Sequence, residues 1–403
     1  MKSKILLLII FIGCLPLAVH SQKLTAEKFF AKQKAIFQEM DCDLAYKTKD
    51  YPKLAKIYSM IIDVYNNQVV EQDKPKLKGI MAGNIYYNAA CCYSILKKEK
   101  QAIRCFRKSM ELGYKDVEHA KIDTDLNNIR RNKEYKQIIK EMERHSYLNV
   151  LREGNSYITE DKEIPSFIYS NPNDTNLVKV RHYFNLDSIA GSGDEISKIK
   201  NLMYWVHNSI RHDGSSYNPK TKNAIAFAQI CKKEGRGINC RMMAIMLNEC
   251  YMAMGWKSKY MTCMPEDSTD TDCHVINAVF SNTLNKWIWM DPTFAAYVSD
   301  ERGNLLGLSE VRERLIKGLP LVLNDDANWN HKQKETKQMY LDNYMAKNLY
   351  QLECPVEFRF GEESVGMQRP KYIVLVPHGF KTYRANQVDF ITADENQFWK
   401  NPY

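Results

Sequence analysis

A glycine-bearing turn, Gly235-Arg236-Gly237-Ile238-Asn239, runs directly into a segment whose apolar positions are Cys240, Met243, Ala244, Leu247, Cys250, Tyr251 and Met254. That recurrence is the period of one helix face, and Gly255 can adopt the left-handed conformation that ends it. The period then changes. Trp256 to Cys263, Cys273 to Phe280 and Trp287 to Asp291 read as strands, with an acidic loop before the second and a polar Ser281 to Lys286 turn before the third. A helix followed by antiparallel strands makes this part of the chain α+β. Pairing Phe280 with Trp287 puts Ile276 opposite Asp291, and His274 then stands on the same face one pleat from that carboxylate. A slip of one residue would put the two on opposite faces.

The order Cys240, His274, Asp291 is the order of a thiol acyl-transfer site. A thiol at neutral pH is mostly protonated and needs a helix N-terminus or an adjacent imidazolium to become thiolate; the imidazole needs a carboxylate to fix its tautomer. Cys240 in the first helical turn meets unpaired backbone N–H groups, which favour the thiolate and can also receive an oxyanion. Taken alone, Cys240 reads as a buried apolar residue on a helix stripe. The arrangement around it points to chemistry instead.

The turn into Cys240, the later His274 on a strand, and the run Trp287-Ile288-Trp289-Met290-Asp291-Pro292-Thr293 resemble the transglutaminase-like superfamily, whose core is a relative of the papain fold. The resemblance covers roughly residues 190 to 298. It implies that Cys240 is the nucleophile, His274 the general base and acid, and Asp291 the orienting carboxylate. The family commonly has glycine two residues before the cysteine, whereas Ile238 stands there and the glycine is Gly237. No side chain is identified as the second oxyanion donor: Asn223 and Asn239 are weak candidates, and Trp205, near the spacing used in some animal transglutaminases, reads as core on its helix. No cofactor and no metal site are expected. Glu266, Asp267, Asp270 and Asp272 lack the spacing of a calcium loop and read as a solvated entrance biased toward cations.

Residues 1–21 have a basic start, an apolar run from Ile5 to Ala18 and small or β-branched residues at Val19 and Ser21, the pattern of a secretory signal peptide. The run is shorter than the roughly 20 residues needed to span a bilayer, so export to the periplasm or outside the cell is expected without a membrane span. Lipoprotein anchoring through Cys14 is the lesser alternative. The net charge of +9 is spread along amphipathic segments, which argues against nucleic acid as a partner. The remaining cysteines show no Cys-x-x-Cys pair, which argues against zinc.

From about residue 24 to 145 the pattern is helical. Tyr86, Ala89, Ala90 and Tyr93, then Ala102, Phe106 and Ser109, resemble a tetratricopeptide repeat of roughly 34 residues, with Tyr114 at the position of its proline; Tyr51 to Ile62 looks like part of a degenerate neighbour. Such helices often hold a partner protein. The tail predicts helices near Ser309 to Ile316 and Gln333 to Leu352, then strands at Val356 to Phe360 and Tyr372 to Pro377. The expected organisation is a signal peptide (1–21), a tetratricopeptide-like helical domain (22–150), a linker (151–189), a papain-like transglutaminase core (190–300) and a C-terminal α/β extension (301–403). The function expected is an exported cysteine enzyme that cleaves or transfers peptide amide acyl groups. The alternative is a non-catalytic protein-binding module with a degenerate core.

Overall fold

The computed structural model of the chain describes residues 23–78, 81–159, 163–270 and 272–403. The expected signal segment, with Cys14, lies outside the described residues. The chain divides into two compact units that meet in sequence between Met142 and Glu143. No helix among the described residues is long and apolar enough to cross a membrane.

The first unit is helical. Its middle consists of α1 (Tyr51–Asn67), α2 (Ala82–Ile95) and α3 (Glu99–Glu111). Asp50 caps α1 by accepting from the Lys53 amide at 3.0 Å, and Pro52 occupies the first turn, where an N–H would have no helical partner to lose. α2 is buried along both sides because its small residues, Ala89, Ala90, Cys91 and Cys92 among them, admit close neighbours. A Cβ on Gly83 would sit 2.8 Å from the Tyr114 nitrogen, so glycine is what lets the chain after α3 pass over α2. Phe106 of α3 is fully buried, with Tyr135 stacked on it and Tyr87 edge-on. Truncating such a ring to alanine costs about 3–5 kcal/mol.

The second unit carries α4 (Glu195–Ser209), α5 (Ala224–Glu234), α6 (Cys240–Ala253) and a six-stranded sheet. The strands are β1 (Ser258–Met264), β2 (His274–Ser281), β3 (Lys286–Met290), β4 (Gln351–Pro355), β5 (Tyr372–Leu375) and β6 (Phe390–Thr392). Their order is β6-β5-β4-β1-β2-β3, antiparallel except for β5 with β6. Phe280 pairs with Trp287 as the sequence pattern predicts.

α6 is buried from Met242 to Ala253 on every side, packed between β1 and β2 on one face and α4 and α5 elsewhere. A helix apolar all round is a core helix, and its buried carboxylate is tied down. Glu249 accepts from the Ala224 amide at 2.7 Å and the Gly361 amide at 2.9 Å; burial pushes its carboxyl up to about 8. Asn277 of β2 donates to the Ala244 carbonyl at 2.9 Å, fixing the sheet against α6.

The tail differs from its sequence pattern. In place of one helix from Gln333 to Leu352, a π-helix runs Gln338–Met345 and a short helical turn Ala346–Asn348, after which β4 begins at Gln351. Val356 lies just past β4, and Glu357–Phe358 pair in parallel with Ile168–Tyr169. β4 joins β1 directly, so residues beyond 301 supply half of the sheet that carries β2. Helical periodicity cannot show this, because the pairing partner of β4 lies far upstream in the chain.

Candidate active site

The site begins with the backbone at the start of α6. Asn239 is the N-cap: its side chain accepts from the Met242 amide at 3.1 Å and donates to Asn218 at 2.9 Å. This satisfies one first-turn amide and leaves Cys240 at the helix mouth, half-buried. A Cβ on Gly237 would lie 2.2 Å from the Arg211 carbonyl oxygen and 2.8 Å from the Asp213 side chain. Glycine stands at this position because a second segment, 211–213, pairs with the turn: Ile238 donates to Arg211 at 3.1 Å and Asp213 donates to Ile238 at 2.7 Å.

His274 opens β2 and is 1 % exposed. Its Nε2–H donates to Asp291 Oδ2 at 2.7 Å, and the Cys240 sulfur is among the groups that favour its charged form. Phe294 and Tyr344 wall the ring, their centroids 5.4 and 5.2 Å away. Asp291 follows the last residue of β3 and is fully buried. Its Oδ1 accepts from the Thr293 amide at 2.8 Å and, more weakly, from the Phe294 amide at 3.4 Å, the turn an aspartate makes with its own backbone two residues on. The Asp-Pro-Thr run therefore fixes the carboxylate's rotamer and leaves Oδ2 for the histidine.

The electrostatics follow. Burial pushes the Cys240 thiol up, but hydrogen bonds from His212 and His274 outweigh it and hold the thiol down at about 6. Burial opposes a charge on His274, yet the Asp291 carboxylate and the Cys240 sulfur push it up to about 10. Between those limits the pair is a thiolate and an imidazolium, titrating as a coupled unit. The stability the thiolate adds is lost as pH falls through about 6, and that of the imidazolium as pH rises through about 10.

Thus His274 and Asp291 form a buried hydrogen-bonded pair, and the imidazole acts on the Cys240 thiol at the helix mouth. The weak oxyanion candidates do not join them: Asn239 is occupied as a cap, and Asn223 caps α5 through the Ala226 amide at 2.9 Å. Trp205 packs edge-on against Phe184, centroids 4.9 Å apart. Asp270 and Asp272 are not a free cation-attracting entrance, since Lys347 Nζ holds them at 3.0 and 2.7 Å.

Three residues escaped sequence reasoning. Tyr340, on the π-helix, donates to Asp291 Oδ2 at 2.6 Å and accepts from Trp289 Nε1 at 3.2 Å. His212 is a second imidazole that lowers the thiol, and Trp329 donates to its Nδ1 at 3.1 Å. No fixed spacing signals any of them; a search for a histidine upstream of Cys240 was the available clue. Beside the site opens a cavity of about 670 Å³, lined by Arg241 and Cys273, the chain neighbours of Cys240 and His274, and by Arg369, Tyr372 and Arg384.

Comparison with known proteins gives a family match and two distant likenesses. Residues 184–292 match the core of the transglutaminase-like superfamily. The chain is 30% identical over 63 residues to a chloroplastic protein of Arabidopsis thaliana, a match covering 16% of this chain and 18% of that protein. A crystal structure from Cytophaga hutchinsonii, assigned provisionally to the cysteine proteases, aligns with 16% identity and a TM-score of 0.24, over 38% of this chain and 52% of that one. The chain thus spans less than two thirds of either relative's length.

Proposed function

We propose, from the premise that residues 184–292 form a transglutaminase-like core, that the chain is a cysteine enzyme acting on peptide amides through a thioester at Cys240. The observation that carries this reading is the buried His274–Asp291 hydrogen bond at 2.7 Å, beside a thiol at the mouth of α6 that His212 and His274 hold below its ordinary value. The thiolate adds to the amide carbonyl, His274 gives its proton to the leaving amine, and water or a primary amine then resolves the thioester. Asp291 holds the imidazole in the orientation this requires and stays ionised. Hydrolysis and transamidation share the thioester and differ only in the group that reaches it. The apolar run at the start of the sequence supports an activity exercised outside the cytoplasm.

The test is incubation of wild type and Cys240→Ala with a peptide library and a labelled primary amine, read by mass spectrometry. Cleavage or amine incorporation that depends on Cys240 supports the reading. Identical product lists for the two proteins would refute it.

A second reading concerns the helical unit. A cavity of about 620 Å³ opens there, lined by Tyr86, Tyr93, Arg104, Arg107 and Lys108 with Asp63, and it supports a partner-binding role for the repeat-like helices. Pull-down with full-length Tyr86→Ala/Arg107→Ala against wild type tests it, with captured partners expected to fall away in the variant alone.

A further inference from the structure

The line from Cys240 to Asp291 accounts for the proton and for the thiolate, but it leaves no side chain to hold the negative charge that appears on the substrate. We propose that His212 is a further catalytic residue of this site: its Nε2–H, fixed as a donor by the Trp329 indole, holds the oxyanion formed when the Cys240 thiolate adds to an acyl carbonyl. This rests on the reading of Cys240 as the nucleophile.

Three observations carry it. The first is chemical. Trp329 Nε1 lies 3.1 Å from His212 Nδ1, and an indole N–H can only donate. Nδ1 must therefore present its lone pair, and the ring proton sits on Nε2. Held in this tautomer, His212 offers the thiol a donor and has no basic nitrogen facing it, whereas His274, bonded to Asp291, is the proton carrier. Two imidazoles at one sulfur thus divide the work.

The second is positional. His212 forms a parallel bridge with Ile238, two residues before the nucleophile. Its backbone is clamped from the other side by Asn330, which accepts from the His212 amide at 2.7 Å and donates to the His212 carbonyl at 3.0 Å. Both residues that orient His212, Trp329 and Asn330, come from one short segment far downstream. A donor fixed before the reaction needs no reorganisation when charge develops, which is what makes such donors effective.

The third is nearness to the sulfur: the bridge to Ile238 sets His212 beside the mouth of α6, and its imidazole is one of the groups that lower the Cys240 thiol. In the addition step the S–C bond forms and the carbonyl π pair moves onto oxygen, an atom two bonds from the sulfur and within reach of the same donor. Collapse restores the C=O bond and breaks the bond to the leaving group, which takes its proton from His274 when it is an amine. His212 gives up no proton, and the Cys240 backbone N–H at the start of α6 is the second donor.

Two reagents separate this role from simple thiolate stabilisation. p-Nitrophenyl acetate acetylates a thiolate through a tetrahedral oxyanion; iodoacetamide alkylates it by displacing iodide, with no oxyanion. Both rates are measured on full-length wild type, His212→Ala, His212→Gln, Trp329→Phe and Cys240→Ala at a matched fraction of thiolate. His212→Ala is expected to slow acetylation about 10²–10³-fold and alkylation by less than about tenfold. His212→Gln, which keeps an N–H donor, recovers part of the acetylation, and Trp329→Phe loses part of it with alkylation unchanged. Equal slowing of both reactions in His212→Ala, or of neither, overturns the assignment. Should His212→Ala fail to fold by circular dichroism, Trp329→Phe carries the same comparison, and equal slowing there overturns it too. Wild type that is acetylated no faster than Cys240→Ala refutes the nucleophile itself, a result distinct from a nucleophile that reacts but ignores His212.

Discussion

Cys91 and Cys240 are both helical cysteines, and burial pushes both thiols toward the neutral form. They end on opposite sides of the ordinary thiol range. Cys91 lies inside α2 of the helical unit, its sulfur 3.5 Å from Asp123 Oδ2, and the carboxylate pushes the thiol further up. Cys240 lies at the mouth of α6 with two imidazoles on it and falls to about 6. The same residue type on the same secondary structure is inert or reactive according to the sign of its neighbours and the end of the helix it occupies.

The sharpest way to break this contrast is to remove one thiol at a time. Cys240→Ala should abolish iodoacetamide labelling at pH 6.5, whereas Cys91→Ala should leave the labelling rate within about twofold, since unperturbed and raised thiols are almost wholly protonated there. Peptide mapping that finds Cys91 labelled as fast as Cys240 would undo the comparison. Asp291→Asn comes next. It removes the charge behind His274 while keeping the shape, and acyl transfer should fall about 10³–10⁴-fold, as for the carboxylate of other triads; stopped-flow acetylation reads it.

Smaller changes sharpen the picture. Gly237→Ala drives a methyl to 2.2 Å from the Arg211 oxygen, and overpacking of this kind costs about 1–3 kcal/mol, measurable by urea unfolding. It should also raise the pH at which Cys240 becomes reactive, because the 211–213 segment carries His212. Tyr340→Phe deletes one of two donors to Asp291 Oδ2. Its effect should be about tenfold on acetylation, near 1.4 kcal/mol, with the fold retained. A Tyr340→Phe protein as slow as Asp291→Asn would mean that the tyrosine, not the carboxylate, orients the ring.

What the sequence made legible was local. The start of α6 was written in the Gly-x-Gly turn and the apolar period, and the hairpin register followed from Phe280 and Trp287. Alternation along the two strands then put His274 and Asp291 on one face. The helix pair α2 and α3 was legible from small and aromatic residues at helical spacing, Ala89, Ala90 and Tyr93, then Ala102 and Phe106. What stayed hidden was non-local. Tyr340 reaches Asp291 from a π-helix whose sequence reads as ordinary helix, and β4 and β5 find the sheet by pairing across a long gap. His212 and Trp329 sit in segments without periodicity, brought to Cys240 by a backbone crossing that only Gly237 permits. The displaced glycine was the visible trace of that crossing, but its meaning needs the Arg211 carbonyl beside it.

Whether Cys240 is an activated nucleophile is read from the pH dependence of its alkylation by iodoacetamide in the full chain. An activated Cys240 gives a rate that rises through an inflection near pH 6 and stays high across neutral pH, where thiolate and imidazolium coexist. A single rise near the value of a free thiol, about 8.5, would contradict that activation.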